Sequence, residues 1–142
     1  MGRKKARDNA FKCIYQLAFY GNNNAQDILK FCYEENENEE EEKEYIQQVL
    51  GGVMENLGKI DEIILSKLKK WSMDRIAKVD IAILRLAVYE IMFMKNIPPK
   101  VTANEAVELA KTYGDSDSKA FVNGVIAKII EDKEDASNGK NI

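Results

Sequence analysis

The sequence predicts an all-α fold, a single compact domain of about seven helices. In almost every segment the apolar residues recur at helical spacing. Two prolines and eight glycines are too few for the many turns of a β-sandwich or a barrel. The 142 residues, of which 45% are hydrophobic, suffice for one domain that forms its own core without a disulfide or a metal.

Four helices are predicted in the first half of the chain. The first covers residues 5–20 and has one broad apolar face. A short second helix at residues 28–32 leads into a run of glutamates. The third covers residues 45–57, where Gly58 closes it, and the fourth covers residues 60–68.

The fifth predicted helix, at residues 76–93, is apolar nearly all round, so we expect it to run through the middle of the domain. Its charged residues Asp80, Arg85 and Glu90 then need partners, because an unpaired buried charge is costly. Structural ion pairs explain these residues better than catalysis does.

Two further helices are predicted after a break at residues 97–99, which contain two prolines. Thr102 and Glu105 have the spacing of a capping box and predict the start of the sixth helix. Gly114 ends that helix, and the polar residues 115–118 predict a cap for the seventh.

The helical domain is predicted to cover residues 1–132, and the polar residues 133–142 are predicted to form a disordered tail. The most apolar stretch, residues 81–94, is too short to cross a membrane and contains Arg85 and Glu90. The N-terminus lacks the apolar region of a secretory signal. We therefore expect a cytoplasmic protein without membrane contact.

The residue types exclude most catalytic chemistry. The chain has no histidine, so it can form neither a Ser-His-Asp triad nor a zinc site with imidazole ligands. Cys13 and Cys32 form no CxxC motif, and we expect reduced thiols rather than a disulfide. No glycine-rich phosphate loop occurs, and close helix packing explains Gly51 and Gly52 better than a ligand does. We expect no enzymatic activity, no cofactor and no metal.

The charges are unevenly distributed along the chain. The eight glutamates within residues 34–44 account for the net charge of −3 by themselves, since the rest of the chain is positive. A basic N-terminal segment precedes them, and it consists of Arg3, Lys4, Lys5, Arg7 and Lys12, opposed only by Asp8. Net charge alone therefore does not exclude nucleic-acid binding.

Several motifs resemble those of one family. Residues 71–75 (WSMDR) and 80–90 (DIAILRLAVYE) are similar to the central helix of the NusB family of transcription antitermination factors. Further matches follow in order at Ile97-Pro98, residues 104–111 (NEAVELAK), Tyr113-Gly114 and residues 121–125 (FVNGV), and the N-terminal matches are Ala6-Arg7, Ala10 and Ile14-Tyr15. The resemblance covers about residues 3–130.

The resemblance implies a fold of two packed helical subdomains without catalytic activity. It implies binding of boxA, a short single-stranded RNA element of rRNA leader transcripts. It also implies a heterodimer with the ribosomal protein NusE, which acts with other Nus factors on RNA polymerase. Since some members of the family self-associate, a homodimer stays open as well.

The resemblance carries RNA contact onto a set of basic, aromatic and hydroxyl residues: Arg3, Lys4, Lys5, Arg7, Tyr15, Ser118, Lys119 and Phe121. The chemistry fits, because cations bind the RNA backbone and aromatic rings stack on splayed bases. The amides at the start of the last helix would favour an anion. For Tyr15 and Phe121, packing in the core is the alternative interpretation.

Two other functions stay open at this point. A helical adapter could bind only protein, with the basic segment serving as a solvated end. An RNA-modifying enzyme is disfavoured, because the chain lacks histidine, a cofactor loop and a second domain.

Overall fold

The computed structural model of the chain describes residues 2–20, 27, 28, 30, 40–68 and 73–139. Within these residues it contains six α-helices, one 3₁₀ turn and no strand. The elements are α1 (Gly2–Tyr20), α2 (Glu40–Glu55), α3 (Leu57–Leu65), the 3₁₀ turn (Met73–Arg75), α4 (Lys78–Phe93), α5 (Pro99–Tyr113) and α6 (Ser118–Gly139). The predicted all-α class is confirmed, and the short helix predicted at residues 28–32 lies largely outside the described residues.

Helix α4 occupies the centre of the molecule and contacts each of the other five helices. From Asp80 to Ile91 its side chains are buried, except that of Arg85, which is half-buried. Helices α1 and α2 pack together on α4, and α5 and α6 pack together on it as well. The structure thus has the two packed helical subdomains that the family resemblance implies, with α4 shared between them.

Of the three charged residues of α4 that were expected to need partners, Arg85 and Glu90 form structural ion pairs, as predicted. Arg85 donates two hydrogen bonds to the carboxylate of Asp61 on α3, at 2.9 and 2.8 Å. Glu90 is paired with Arg7 of α1. Asp80 differs, because among the described residues its Oδ1 has no hydrogen-bond partner.

The boundary between α2 and α3 falls at Asn56, so the prediction that Gly58 closes the third helix is wrong. The Asn56 side-chain amide donates to the carbonyl of Gly52 at 2.8 Å, and its own carbonyl accepts from the Ile60 amide at 2.8 Å. Asn56 thereby ends one helix and begins the next, and Gly58 lies inside the first turn of α3.

Gly52 is explained by helix packing, as predicted. A Cβ at this position of α2 would overlap the ring of Tyr89 on α4. At the neighbouring Gly51 a Cβ would meet nothing within 4 Å. Only Gly52 is therefore required for the close approach of the two helices.

Helix α5 begins at Pro99, so the prediction that Thr102 opens it through a capping box is wrong. Proline at the first helical position needs no amide partner and already has a helical φ, which favours the earlier start. Thr102 lies inside the helix instead, where its hydroxyl donates to Glu90 at 2.7 Å.

Helix α6 begins at Ser118, and its cap agrees with the prediction. Asp115 Oδ1 accepts hydrogen bonds from the amides of Asp117 and Ser118 at 2.9 and 3.1 Å. The preceding Gly114 allows Ser118 to come close, since a Cβ at Gly114 would overlap the Ser118 side chain.

Helix α6 continues to Gly139, past the predicted domain boundary at residue 132. Lys133 donates to the carbonyl of Ile91 at 2.6 Å, near the carboxyl end of α4. Lys67 forms an ion pair with Asp132. These contacts hold the polar end of α6 against the rest of the domain, whereas the sequence shows only its polar composition.

Cys13 is disulfide-bonded, so the expectation of reduced thiols is wrong, and Cys32 lies outside the described residues. The described chain contains no helix that is both long and apolar enough to span a membrane. In the same part of the chain, no group of three or more His, Cys, Asp or Glu residues could hold a metal ion.

Candidate nucleic-acid interface

The basic N-terminal segment is the first part of α1, which begins at Gly2. The side chains of Lys4 and Lys5 are exposed, as expected for residues that meet a ligand from solution. The side chain of Arg3 lies outside the described part of the structure.

Arg7, by contrast, points into the protein and is only 5% exposed. Its Nε and one terminal nitrogen donate to the two carboxylate oxygens of Glu90 at 2.8 and 3.1 Å. Glu90 also accepts hydrogen bonds from the hydroxyls of Tyr45 and Thr102. The network joins α1, α2, α4 and α5, so it fixes the basic end of α1 against the core.

The charge of Arg7 is satisfied within this network. Burial alone would lower the pKa of Arg7, but the hydrogen bond and the negative charge of Glu90 raise it above the ordinary value. Its guanidinium also lies 5.9 Å from the centre of the Tyr45 ring. Arg7 therefore serves to position its helix, a role that the sequence analysis did not assign to it.

A first groove lies between the exposed end of α1 and helix α5. It has a volume of about 390 Å³. Its lining residues are Lys4, Lys5, Arg7 and Asp8 from α1 and Glu105, Glu108, Leu109 and Thr112 from α5. The lysines stand on one wall and the two glutamates on the other.

A second groove of about 930 Å³ runs between α5 and α6 and also reaches Lys4. It brings Lys4 and Lys119 to the same groove, although they lie at opposite ends of the chain. Six further polar residues line this groove, none of them predicted as a contact residue: Asn104, Glu105, Glu108, Lys111, Ser116 and Asn123. Helical spacing places Asn104 and Lys111 on one face of α5, and this was the signal that could have identified them.

Ser118 lies in the interior and is 1% exposed. The amides at this helix start are already satisfied by Asp115, so an RNA phosphate would have to displace that carboxylate. Nearby, burial raises the pKa of Asp80, although a hydrogen bond from the Ser118 hydroxyl lowers it; the charge of Asp115 raises it further. Ser118 therefore shapes the helix start rather than lining either groove.

The two predicted aromatic residues are half-buried and pack against the hydrophobic core. The ring of Tyr15 lies 6.3 Å from that of Phe11. Phe121 is in the first turn of α6, where its amide donates to the carbonyl of Asp117. Both rings contribute to the core and keep a partly exposed edge.

A third ring near the first groove was missed by the sequence analysis. Tyr113, at the end of α5, is 36% exposed and stacks on Phe11 with 5.0 Å between ring centres. Its hydroxyl donates to Asp8 at 2.6 Å, and Asp8 also pairs with Lys12 at 3.1 Å. The spacing of residues along α1 gives no sign of a partner so distant in sequence.

The chain is similar along nearly its whole length to proteins of one kind. Residues 4–131 match the model of the NusB family. The transcription antitermination protein NusB of Clostridium acetobutylicum is 46% identical over 135 residues, which cover 95% of this chain and 99% of that protein.

Two solved structures are similar to the whole fold. The T. maritima NusB structure has a TM-score of 0.83 and 37% identity, and the match covers 91% of this chain and 90% of that one. A crystal structure of the antitermination factors NusB and NusE in complex with dsRNA has a TM-score of 0.80 and 32% identity, and the match covers 92% of this chain and 96% of that one. The motifs, the helix order and these matches agree: the chain belongs to the NusB family.

Proposed function

We propose that this chain is a transcription antitermination factor that binds boxA RNA of rRNA leader transcripts as a heterodimer with ribosomal protein NusE. In this role it acts in the cytoplasm, with other Nus factors, on RNA polymerase. The observation that carries the proposal is that Lys4 and Lys119 both line the groove between α5 and α6. The solved complex of NusB and NusE with dsRNA supports it, since that structure is similar over 92% of this chain.

The grooves suit an RNA strand. Lysine ammonium groups attract phosphates, and Lys4, Lys5 and Lys119 are all exposed. Asn104 of α5 and Asn123 of α6 line the second groove, and their amides can form hydrogen bonds with base edges. Glu105 and Glu108 repel phosphate, so they restrict the path that the backbone can take.

The predicted residues then divide by role. Lys4, Lys5 and Lys119, together with Arg3, contact the RNA backbone. Tyr15 and Phe121 contact RNA through their exposed edges, while Arg7 and Ser118 act indirectly by positioning α1 and the start of α6. None of these roles involves bond making or breaking, and we propose that the chain acts by binding alone.

The proposal is tested by calorimetry on a closed cycle of this chain, NusE and RNA. We expect weak binding of single-stranded boxA by the chain alone, because its basic footprint is small. NusE should raise the RNA affinity by about 5- to 150-fold, and RNA should strengthen the protein pair by the same factor. A scrambled strand and a boxA duplex serve as controls for sequence and strandedness.

The rival function predicts a different outcome. A helical adapter that binds only protein would pair with NusE but would show no RNA binding, with or without NusE. That result would overturn the proposed function.

A further inference from the structure

We propose that Tyr113 is a stacking platform for a nucleobase of the bound RNA, at the edge of the first groove. This inference rests on the proposed function, since it concerns the same RNA. It assigns the base contact to a ring that the sequence analysis did not identify, at the opposite end of α5 from Pro99.

Tyr113 is more accessible than the two rings predicted to contact RNA. It is 36% exposed, whereas Tyr15 and Phe121 are half-buried and pack against the core. Phe93 is equally exposed, but it packs beside Tyr89 and Lys59, and none of these three lines either groove. Tyr113 itself is not part of the lining, but it follows Thr112 in the chain and its hydroxyl bonds to Asp8, and both of these residues line the first groove.

The ring of Tyr113 is held in place from two sides. It stacks on Phe11 with an interplanar angle of 30°, and its hydroxyl donates to Asp8. That hydrogen bond, with burial and the charge of Asp8, raises the pKa of Tyr113, so the phenol stays a neutral donor. A ring already fixed in one orientation loses little conformational entropy when a base stacks on it.

The surroundings of the ring also favour RNA over an apolar ligand. Lys12 is exposed, and its ammonium lies 5.8 Å from the centre of the Tyr113 ring and 3.1 Å from Asp8. Asp8 lines the first groove beside Lys4 and Lys5. The backbone of one strand can therefore follow the lysines while a base lies over Tyr113, the usual combination in proteins that bind single strands.

The test measures binding of single-stranded boxA RNA to the full chain and to two variants. Tyr113→Leu keeps an apolar cover over Phe11 but removes the ring, and it should weaken binding by about 5- to 150-fold. The slope of log affinity against log salt should stay unchanged, because stacking releases no counterions. Tyr113→Phe retains the ring and should keep most of the affinity.

A second measurement changes the RNA and is made first on the wild-type chain. Abasic sites are introduced one at a time along the RNA, and each RNA is bound to the wild-type chain. We expect one position whose base matters strongly in the wild type and no longer matters with Tyr113→Leu.

A failure of this inference and a failure of the proposed function give different results. If the wild type binds boxA and Lys4→Gln flattens the salt slope, yet Tyr113→Leu binds as tightly as the wild type, this inference is overturned and the proposed function stands. The same holds if no abasic site weakens binding to the wild type. If the wild type binds no RNA with or without NusE, both are overturned.

Discussion

The carboxylate of Glu90 shows how single residues connect the core to the candidate site. It is fully buried and accepts hydrogen bonds from Arg7, Tyr45 and Thr102. A buried ion pair compensates its desolvation only when its remaining hydrogen-bonding groups are satisfied, and here the two hydroxyls contribute to this. The result is a fixed orientation for the first turns of α1, which present Lys4 and Lys5.

Removing Arg7 should therefore affect stability far more than removing a neighbouring lysine. Arg7→Ala leaves the charge of Glu90 buried without its cation, which should lower the free energy of unfolding by about 3–5 kcal/mol. Lys4→Ala in the same helix is the control, and it should change that free energy by no more than about 0.5 kcal/mol. Urea titration measures both, and equal effects would show that Arg7 is not structural.

Because of Asp80, the stability of the protein should depend on pH with a sign opposite to that expected from an ion-paired carboxylate. Burial raises its pKa in the folded state, while Ser118 lowers and Asp115 raises it. The folded state thus holds the proton more tightly than the unfolded state, so this group's contribution to stability falls as pH rises from its unfolded pKa through its folded pKa.

Asp80→Asn isolates that contribution. The unfolding free energy of the variant minus that of the wild type should be more positive at about pH 7 than at about pH 3, below the ordinary pKa of an aspartate. Urea titrations of both proteins at several pH values provide the comparison. A difference that does not vary with pH would mean that Asp80 keeps an ordinary pKa.

At this scale the sequence identified which residues needed partners but not what the partners were. The charges on α4 were recognised because they interrupt an apolar helix. The partners Asp61 and Arg7 lie 24 and 83 positions away from Arg85 and Glu90, and periodicity carries no information over such separations. Arg7 itself shares the apolar face with Ala10 and Ile14, a spacing that could have predicted its burial.

Among the helices, the contact between α2 and α4 depends on one glycine and not on its neighbour. Gly52→Ala forces a Cβ into the Tyr89 ring and should destabilise the protein by about 1–3 kcal/mol. Gly51→Ala meets open space and should stabilise it by up to about 1 kcal/mol through helix propensity. Thermal melts of the matched pair measure this, and equal shifts would contradict the packing described here.

The central helix and the general order of helices were predictable, because apolar periodicity reports directly on the buried face. The ends of the helices were less predictable, because several residues that favour a helix start or stop lie close together in the sequence. Pro99 begins α5 ahead of a capping box at Thr102, and Asn56 ends α2 ahead of Gly58. Helix α6 continues to Gly139 in spite of its polar end, and Asp132 and Lys133 have partners on other parts of the chain, which composition does not show.

For the whole molecule, the candidate site exists because α4 brings the two ends of the chain together. The family motifs led to Lys4, Lys5 and Lys119, which line the grooves. The residues that the sequence missed come mostly from α5, whose position beside α1 follows only from the tertiary fold. Tyr113 joins the site through its contacts with Phe11 and Asp8 of α1, and no local pattern indicates these.

The salt dependence of boxA binding tests the central claim most directly. The triple variant Lys4→Gln, Lys5→Gln, Lys119→Gln should flatten the slope of log affinity against log salt by about 2, since each lost phosphate contact with a single strand is worth about 0.7. The control replaces Lys78, Lys95 and Lys128, which are exposed and line neither groove, and it removes the same charge. A flatter slope for the groove variant alone is the predicted result, and equal slopes for the wild type and both variants would contradict it.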